Sequence, residues 1–103
     1  MSEISFEILR FCISSTMNFL HTLELLSKPE VIHNVDREVL ETSTKLLLTT
    51  MDVLRDKCGL ELLFDFREKI KQLSKEVEHG ELGKVVKIAE ELVKKLKEYL
   101  LKI

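Results

Sequence analysis

The chain has 103 residues, of which 33% are charged and 45% hydrophobic, and it contains three glycines and one proline. A chain of this length is expected to form one domain, residues 1–103, and to bury roughly two-thirds of its unfolded surface. Few helix breakers and many Leu, Lys and Glu residues favour an all-α fold. The net charge of −2 excludes a strong overall attraction to nucleic acid or to an anionic membrane.

The compartment is predicted from hydropathy and composition. A membrane-spanning helix needs about 20 nearly uncharged apolar residues, and the most apolar segment contains Arg10 and Glu24. This segment also lacks the basic start and small-residue cleavage site of a signal peptide. Lysine outnumbers arginine 12 to 4, and asparagine and glutamine together number three. We therefore expect a cytoplasmic protein, from a heat-adapted prokaryote.

Two cysteines, Cys12 and Cys58, lie among apolar neighbours in predicted helices. A free cysteine in such surroundings behaves as a small hydrophobic residue. We expect both to be reduced, buried thiols, in keeping with a cytoplasmic location. A disulfide between them is the less favoured alternative.

The first predicted helix, about residues 2–26, has an unusually large apolar surface. Its narrow polar stripe consists of Glu3, Glu7, Arg10, Ser14, Asn18 and His21. Opposite runs a first apolar row, which we expect in the core, formed by Phe6, Leu9, Ile13, Met17, Leu20 and Leu23. Beside it runs a second row, formed by Ile8, Cys12, Phe19 and Leu26. Together the rows cover well over half of the circumference.

The connector after this helix begins with Ser27 and Glu30 at capping-box spacing, which predicts a short helical turn. Asn34 or Asp36 is then expected to cap a second helix, about residues 36–58. One side of this helix is apolar and comprises Val39, Leu40, Leu46, Leu47, Met51, Val53, Leu54 and Cys58. Ser43 and Thr50 lie within that side, where small residues would let a neighbouring helix approach closely.

Two glycines divide the rest of the chain. The apolar stripe shifts by about 100° at Gly59 and again near Gly80, which a single straight helix would not do. Gly59 is therefore predicted to be a left-handed cap residue. The third and fourth helices are expected at about residues 60–78 and 81–102. Short breaks make neighbouring helices antiparallel, which predicts an up-down four-helix bundle.

The sequence offers little for catalysis or metal binding. Glu30 and His33 have the i,i+3 spacing of di-iron bundles, but those proteins need two such motifs and two further inward glutamates. We interpret this pair as part of a surface turn. Glycine-rich phosphate loops and a glycine elbow around a serine are absent. We therefore predict no enzymatic activity, no catalytic residues, no metal and no cofactor.

The apolar excess of the first helix predicts association with a second copy or with another protein. In a bundle each helix needs only about a third of its surface to be apolar. We expect the second row and an off-stripe phenylalanine to form the interface, that is Ile8, Cys12, Phe19, Leu26 and Phe64. In the alternative, residues 29–35 and the chain ends cover this row and the protein is monomeric.

Nucleic-acid binding is the second functional hypothesis. Residues 80–103 hold six lysines and four glutamates, a net charge of +2. The candidate phosphate contacts are Lys84, Lys87, Lys94, Lys95 and Lys102. Tyr99 is the only aromatic residue of the last predicted helix, so a stacking surface for bases is missing.

Overall fold

In the computed structural model the described residues, 3–60 and 63–102, form five helices and no strand. The helices are α1 (Glu3–Leu26), α2 (Pro29–Ile32), α3 (Arg37–Cys58), α4 (Leu63–Glu78) and α5 (Leu82–Leu101). Side chains are described for residues 6–60 and 65–102. The all-α prediction is confirmed. The expected count of four helices leaves out α2, which lies where the sequence predicted a helical turn.

The helices pack in a ring around one core. α3 contacts α1 and α4, α5 also contacts α1 and α4, and α2 packs against α1 and α5. The molecule measures 48 × 25 × 22 Å, and the 24 residues of α1 account for about 36 Å of the long dimension. The fully buried side chains at the centre include Phe19, Leu23, Ile32, Met51, Leu54, Ile70, Leu73, Leu92 and Leu96.

The buried face of α3 differs from the predicted one. It consists of Leu40, Thr44, Leu47, Met51 and Leu54. Val39 and Leu46, expected in the core, are 53% and 60% exposed. Both lie about 100° around the helix from the buried face, so the apolar residues of α3 form two rows and only one of them is buried.

The small residue at the buried contact of α3 is Thr44, whereas Ser43 and Thr50 line an open cleft between α1 and α3. The Thr44 hydroxyl donates to the carbonyl of Glu41 at 2.9 Å and lies 3.3 Å from the Ser74 hydroxyl of α4. These contacts satisfy a polar group that is fully buried.

Both predicted glycine breaks are confirmed. Gly59 (φ 66°) and Gly80 (φ 72°) have left-handed backbone conformations. After α4 the amides of Gly80 and Glu81 donate to the carbonyls of Val77 and Glu76, the two bonds of a Schellman motif. α4 begins at Leu63, later than the predicted residue 60.

The predicted capping box is wrong. The Ser27 hydroxyl donates backward to the Glu24 carbonyl at 2.6 Å and so completes the end of α1. Lys28 occupies the N-cap position of α2. Asp36 precedes α3 as expected, but its side chain makes no capping hydrogen bond.

Candidate protein-association surface

The N-terminal half of α1 carries a continuous exposed apolar surface. Phe6, Leu9, Ile13 and Met17 are 62%, 56%, 58% and 56% exposed. They follow one another at helical spacing on one face, and we call them the exposed row. None of the side chains from residue 6 to residue 15 is buried, and among the α1 side chains that the structure describes the first buried one is Thr16. The described part of α1 therefore meets the core mainly from Thr16 onward.

A cleft borders the exposed row. Leu9, Ile13 and Met17 form one wall, and Leu60 and Leu100 lie among the residues that line the rest. Leu60 and Leu100 are partly buried and pack against the core. The exposed row is thus continuous with an apolar channel between α1 and the C-terminal end of α5.

Cys12 and Cys58 form a disulfide that also lines this cleft. Their Cα atoms are 5.8 Å apart and they are 46 residues apart in sequence. The expectation of two reduced, buried thiols is wrong, because both cysteines are bonded and only half-buried. Antiparallel packing of α1 on α3 brings the two positions together, and nothing in their spacing signals a bridge.

A second cleft lies on the opposite flank of the same half of α1. It is lined by Glu7, Ile8, Phe11, Val53 and Lys57. Ile8 and Phe11 are 47% and 46% exposed. Residues 6–15 therefore have open apolar surface on both sides of the line where α1 approaches α3.

The structure separates the predicted interface residues from one another. Phe19 and Leu26 are core residues, 2% and 4% exposed. Cys12 is bonded to Cys58, and Ile8 alone of the second row is exposed. Phe64 lies outside the residues whose side chains are described. Phe19 and Leu26 of the second row thus supply core contacts, and so do Leu20 and Leu23 of the first row, as expected. The other members of the first row, also expected in the core, are exposed.

The burial of second-row residues has a geometric cause. The apolar arc of α1 is wide, so hydropathy alone does not locate its centre. The buried line is centred on Thr16, Phe19 and Leu23, and the exposed row lies about 90° from it. Thr16 lies on this buried line. Because threonine is polar, an analysis of apolar periodicity does not identify the line as the buried one.

The five lysines of the nucleic-acid hypothesis are all exposed. Within the described part of the chain, two of them form ion pairs. The ammonium group of Lys84 lies 3.8 Å from the Glu76 carboxylate, and that of Lys95 lies 3.3 Å from Glu91. Pairing reduces the positive potential that these lysines offer to phosphate groups.

Glu91 of α5 accepts from two lysines, one on α4 and one on its own helix. Lys69 of α4 donates a hydrogen bond to its carboxylate, and Lys95 of α5 lies one turn further along. The hydrogen bond from Lys69, followed by that from Lys95, lowers the pKa of Glu91 below its ordinary value. The Glu91–Lys95 ion pair joins two residues of α5 that are four apart in sequence. Lys69 connects this pair to α4.

The part of the chain that the structure describes holds no group of three or more His, Cys, Asp or Glu side chains able to bind a metal ion. Glu30 and His33 are both exposed on the short α2 segment. The side-chain amide of Asn34 donates to the Glu30 carbonyl at 2.6 Å, so this segment is closed by a local turn.

The connector covers a different part of α1 from the exposed row. α2 packs against α1 and α5 and buries Ile32. Since α2 follows Leu26 after two residues, it lies at the end of α1 remote from residues 6–17. The alternative in which residues 29–35 cover the apolar excess therefore applies to the C-terminal end of α1 and leaves the exposed row open.

Within the described ranges, no helix is long and apolar enough to cross a membrane. The chain matches no protein-family model, no curated protein and no solved structure.

Proposed function

We propose that this protein functions by association, as a homodimer in which the exposed rows of two copies pack together. The observation that carries the proposal is the exposure of Phe6, Leu9, Ile13 and Met17, each more than half exposed on one helix face. Isolated exposed hydrophobic residues are common, but a contiguous apolar row at helical spacing is typical of a contact surface. A closed two-fold pair is the commonest way for such a surface to be covered.

The spacing of the row suits an antiparallel pair of α1 helices. A two-fold axis between Leu9 and Ile13 would place Leu9 of one copy beside Ile13 of the other. The same axis places Phe6 beside Met17, a favourable aromatic–thioether contact. The four residues span about 16 Å along the helix, so the contact extends over three turns on each copy.

The buried area is adequate for a small stable dimer. Four large side chains, each about half exposed, contribute on the order of 100 Å² apiece, or roughly 800 Å² from two copies. Polar neighbours and the cleft residues Leu60 and Leu100 enlarge the contact toward the roughly 1,200 Å² at which stable interfaces begin. Only part of this apolar gain is expressed as affinity, since association also costs translational and side-chain entropy.

The test is the mass of the oxidised protein in solution, measured by light scattering over about a hundredfold concentration range. We expect about 24 kDa, twice the chain mass of 12.0 kDa. Ile13→Asp should shift the mass to that of one chain. Leu46→Asp is the matched control, because Leu46 is 60% exposed and Ile13 58%, but Leu46 lies on α3 outside the exposed row.

A constant mass of 12 kDa for the unaltered protein would overturn the homodimer. A dimer that Leu46→Asp disrupts and Ile13→Asp preserves would place the contact in the cleft between α1 and α3. Folding of each variant is checked by its far-ultraviolet circular dichroism, since both substitutions are at exposed positions and should retain the helices.

We retain nucleic-acid binding through Lys84, Lys87, Lys94, Lys95 and Lys102 as a weaker proposal. Exposure of all five supports it, and the ion pairs of Lys84 and Lys95 count against it. A gel-shift titration with duplex DNA and with RNA tests it. Binding that is unchanged when the five lysines are replaced by glutamate would exclude this surface.

We further infer an up-down arrangement of the four long helices, with α2 closing one end, in a cytoplasmic protein of a heat-adapted prokaryote. The ring of helix contacts supports the first part. The lysine bias supports the second, and the disulfide is compatible with it, since intracellular proteins of hyperthermophiles are often rich in disulfides. Detection of the protein in the cytoplasmic fraction of its source cells tests the location, and recovery from an extracytoplasmic fraction would contradict it.

A further inference from the structure

We infer that the Cys12–Cys58 disulfide is a redox-sensitive latch that holds the N-terminal half of α1 against α3, and that its reduction releases this half. The consequence for dimerisation, that release weakens pairing through the exposed row, rests on the proposed function. The conformational part does not, because it concerns one chain.

The first argument is the scarcity of other contacts. From residue 6 to residue 15 no side chain is buried, and Cys12 and Ser15 are the two that are half-buried. Apolar clefts open on both flanks of this segment. Segments with few buried apolar contacts open locally at low free energy. The bond to Cys58 is therefore the main constraint on a segment that otherwise packs loosely.

The second argument is the weak intrinsic helicity of the segment. Nine of the twelve residues from 4 to 15 are isoleucine, phenylalanine, serine or cysteine, which are poorer helix formers than Ala, Leu or Glu. Most helical stability in proteins comes from packing of an apolar face, and a short segment without such packing is marginal in water. Once untethered, this half of α1 should fray, while the half from Thr16 onward is retained by the core.

The third argument is access. Both cysteines are half-buried and line an open cleft, so a small thiol can reach the sulfur atoms. In the reaction, a thiolate of a dithiol attacks one sulfur, the Sγ–Sγ bond breaks, and the departing cysteine thiolate takes a proton. The second thiol of the reductant then displaces the other cysteine. Two protein thiols and one reductant disulfide result, with two electrons transferred.

The experiment is amide hydrogen exchange of the oxidised protein and of the protein reduced with dithiothreitol. Reduction should accelerate exchange of residues 8–15 by at least about tenfold and leave them far less protected than α5, whose amides should lose only the protection that the general loss of stability removes. The variant Cys12→Ser/Cys58→Ser should exchange like the reduced protein and should not respond to dithiothreitol, which controls for other effects of the reagent.

Unchanged exchange of residues 8–15 on reduction would overturn the latch. Loss of protection in all helices would also overturn it, since the disulfide would then maintain the whole fold. Light scattering on the same samples separates the two proposals. A dimer that dissociates on reduction supports both. An oxidised protein that is already monomeric contradicts the dimer, while the exchange contrast still decides the latch.

Discussion

The Nε atom of Arg37, in the first turn of α3, donates to the backbone carbonyl of Val77 at 3.2 Å. The same guanidinium group also donates to the carbonyl of Glu78, and it lies 4.0 Å from the Glu41 carboxylate. Val77 and Glu78 are in the last turn of α4, where the helix dipole is negative, and the Val77 carbonyl accepts from Arg37 in addition to the Gly80 amide. One arginine therefore links the start of α3 to the end of α4 across 40 residues of sequence.

Replacing Arg37 by alanine should lower the free energy of unfolding by about 1–2 kcal/mol, because two charge-assisted hydrogen bonds are lost at a partly exposed site. Arg37→Lys keeps the charge but not the forked donor geometry, so it should recover about half of the loss. Urea unfolding followed by circular dichroism measures both. Equal stability of the alanine variant and the unaltered protein would contradict a capping role.

Gly80 and Gly59 provide a matched pair of substitutions. Both have left-handed backbones, so alanine at either position should cost about 1 kcal/mol. At Gly80 an added Cβ would lie 3.0 Å from the Arg37 guanidinium, whereas at Gly59 no atom of the described residues lies within 4 Å of it. Gly80→Ala should therefore lower the free energy of unfolding more than Gly59→Ala does. The difference should be about the net contribution of one hydrogen bond.

The excess cost at Gly80 should disappear when Arg37 is already alanine, and a double-mutant cycle in urea measures this coupling. An additive cycle would show that the guanidinium group accommodates the new methyl group without losing its bonds to α4.

The disulfide should stabilise the chain mainly through its unfolded state. For a separation of 46 residues the chain-entropy model gives about 4 kcal/mol, and measured values are usually 2–4 kcal/mol. Cys12→Ser/Cys58→Ser should lower the free energy of unfolding by that amount and raise the urea m-value, because the unfolded chain expands. Release of residues 6–15, which include no buried side chain, should subtract little from the m-value, so a stability loss with a lower m-value would indicate that the core itself is disrupted.

Glu91 should titrate below its ordinary pKa, chiefly because Lys69 donates a hydrogen bond to its ionised form and secondarily because Lys95 does. A lowered pKa in the folded state means that this contribution to stability is present above the unfolded-state pKa. It is lost as the pH falls through the folded-state pKa. Carboxyl carbon NMR shifts measure the titration.

Lys69→Met should raise the Glu91 pKa more than Lys95→Met does, and added salt should reduce both differences, since the site is exposed. A larger effect of Lys95→Met would contradict the order of the two contributions.

Local patterns in the sequence identified the elements of this fold. The phase shifts of the apolar stripe located the helix ends at Gly59 and Gly80. The stripe of one straight helix keeps its angular position about the helix axis, so a shift marks the end of that helix. α5 matched its predicted bounds within one residue, since its apolar residues occupy a single arc whose centre is unambiguous. The broad apolar arc of α1 was also visible, and with it the expectation of a contact surface.

The choice among apolar rows was decided by tertiary packing. In α1 and in α3 the apolar residues form two rows about 90–100° apart, and the row that enters the core is the one that faces the neighbouring helices. Phe19 and Leu26 are therefore buried, while Met17 and Leu46 are exposed. Periodicity fixes the angles between side chains on one helix, but the rotation of that helix about its axis depends on all of its partners.

The same dependence explains the disulfide. Cys12 and Cys58 come within 5.8 Å between their Cα atoms because α1 and α3 pack side by side with their opposite ends together. Sequence alone placed both residues in apolar helical segments. Their pairing depends on the helix register and rotation, which arise from packing of the complete core.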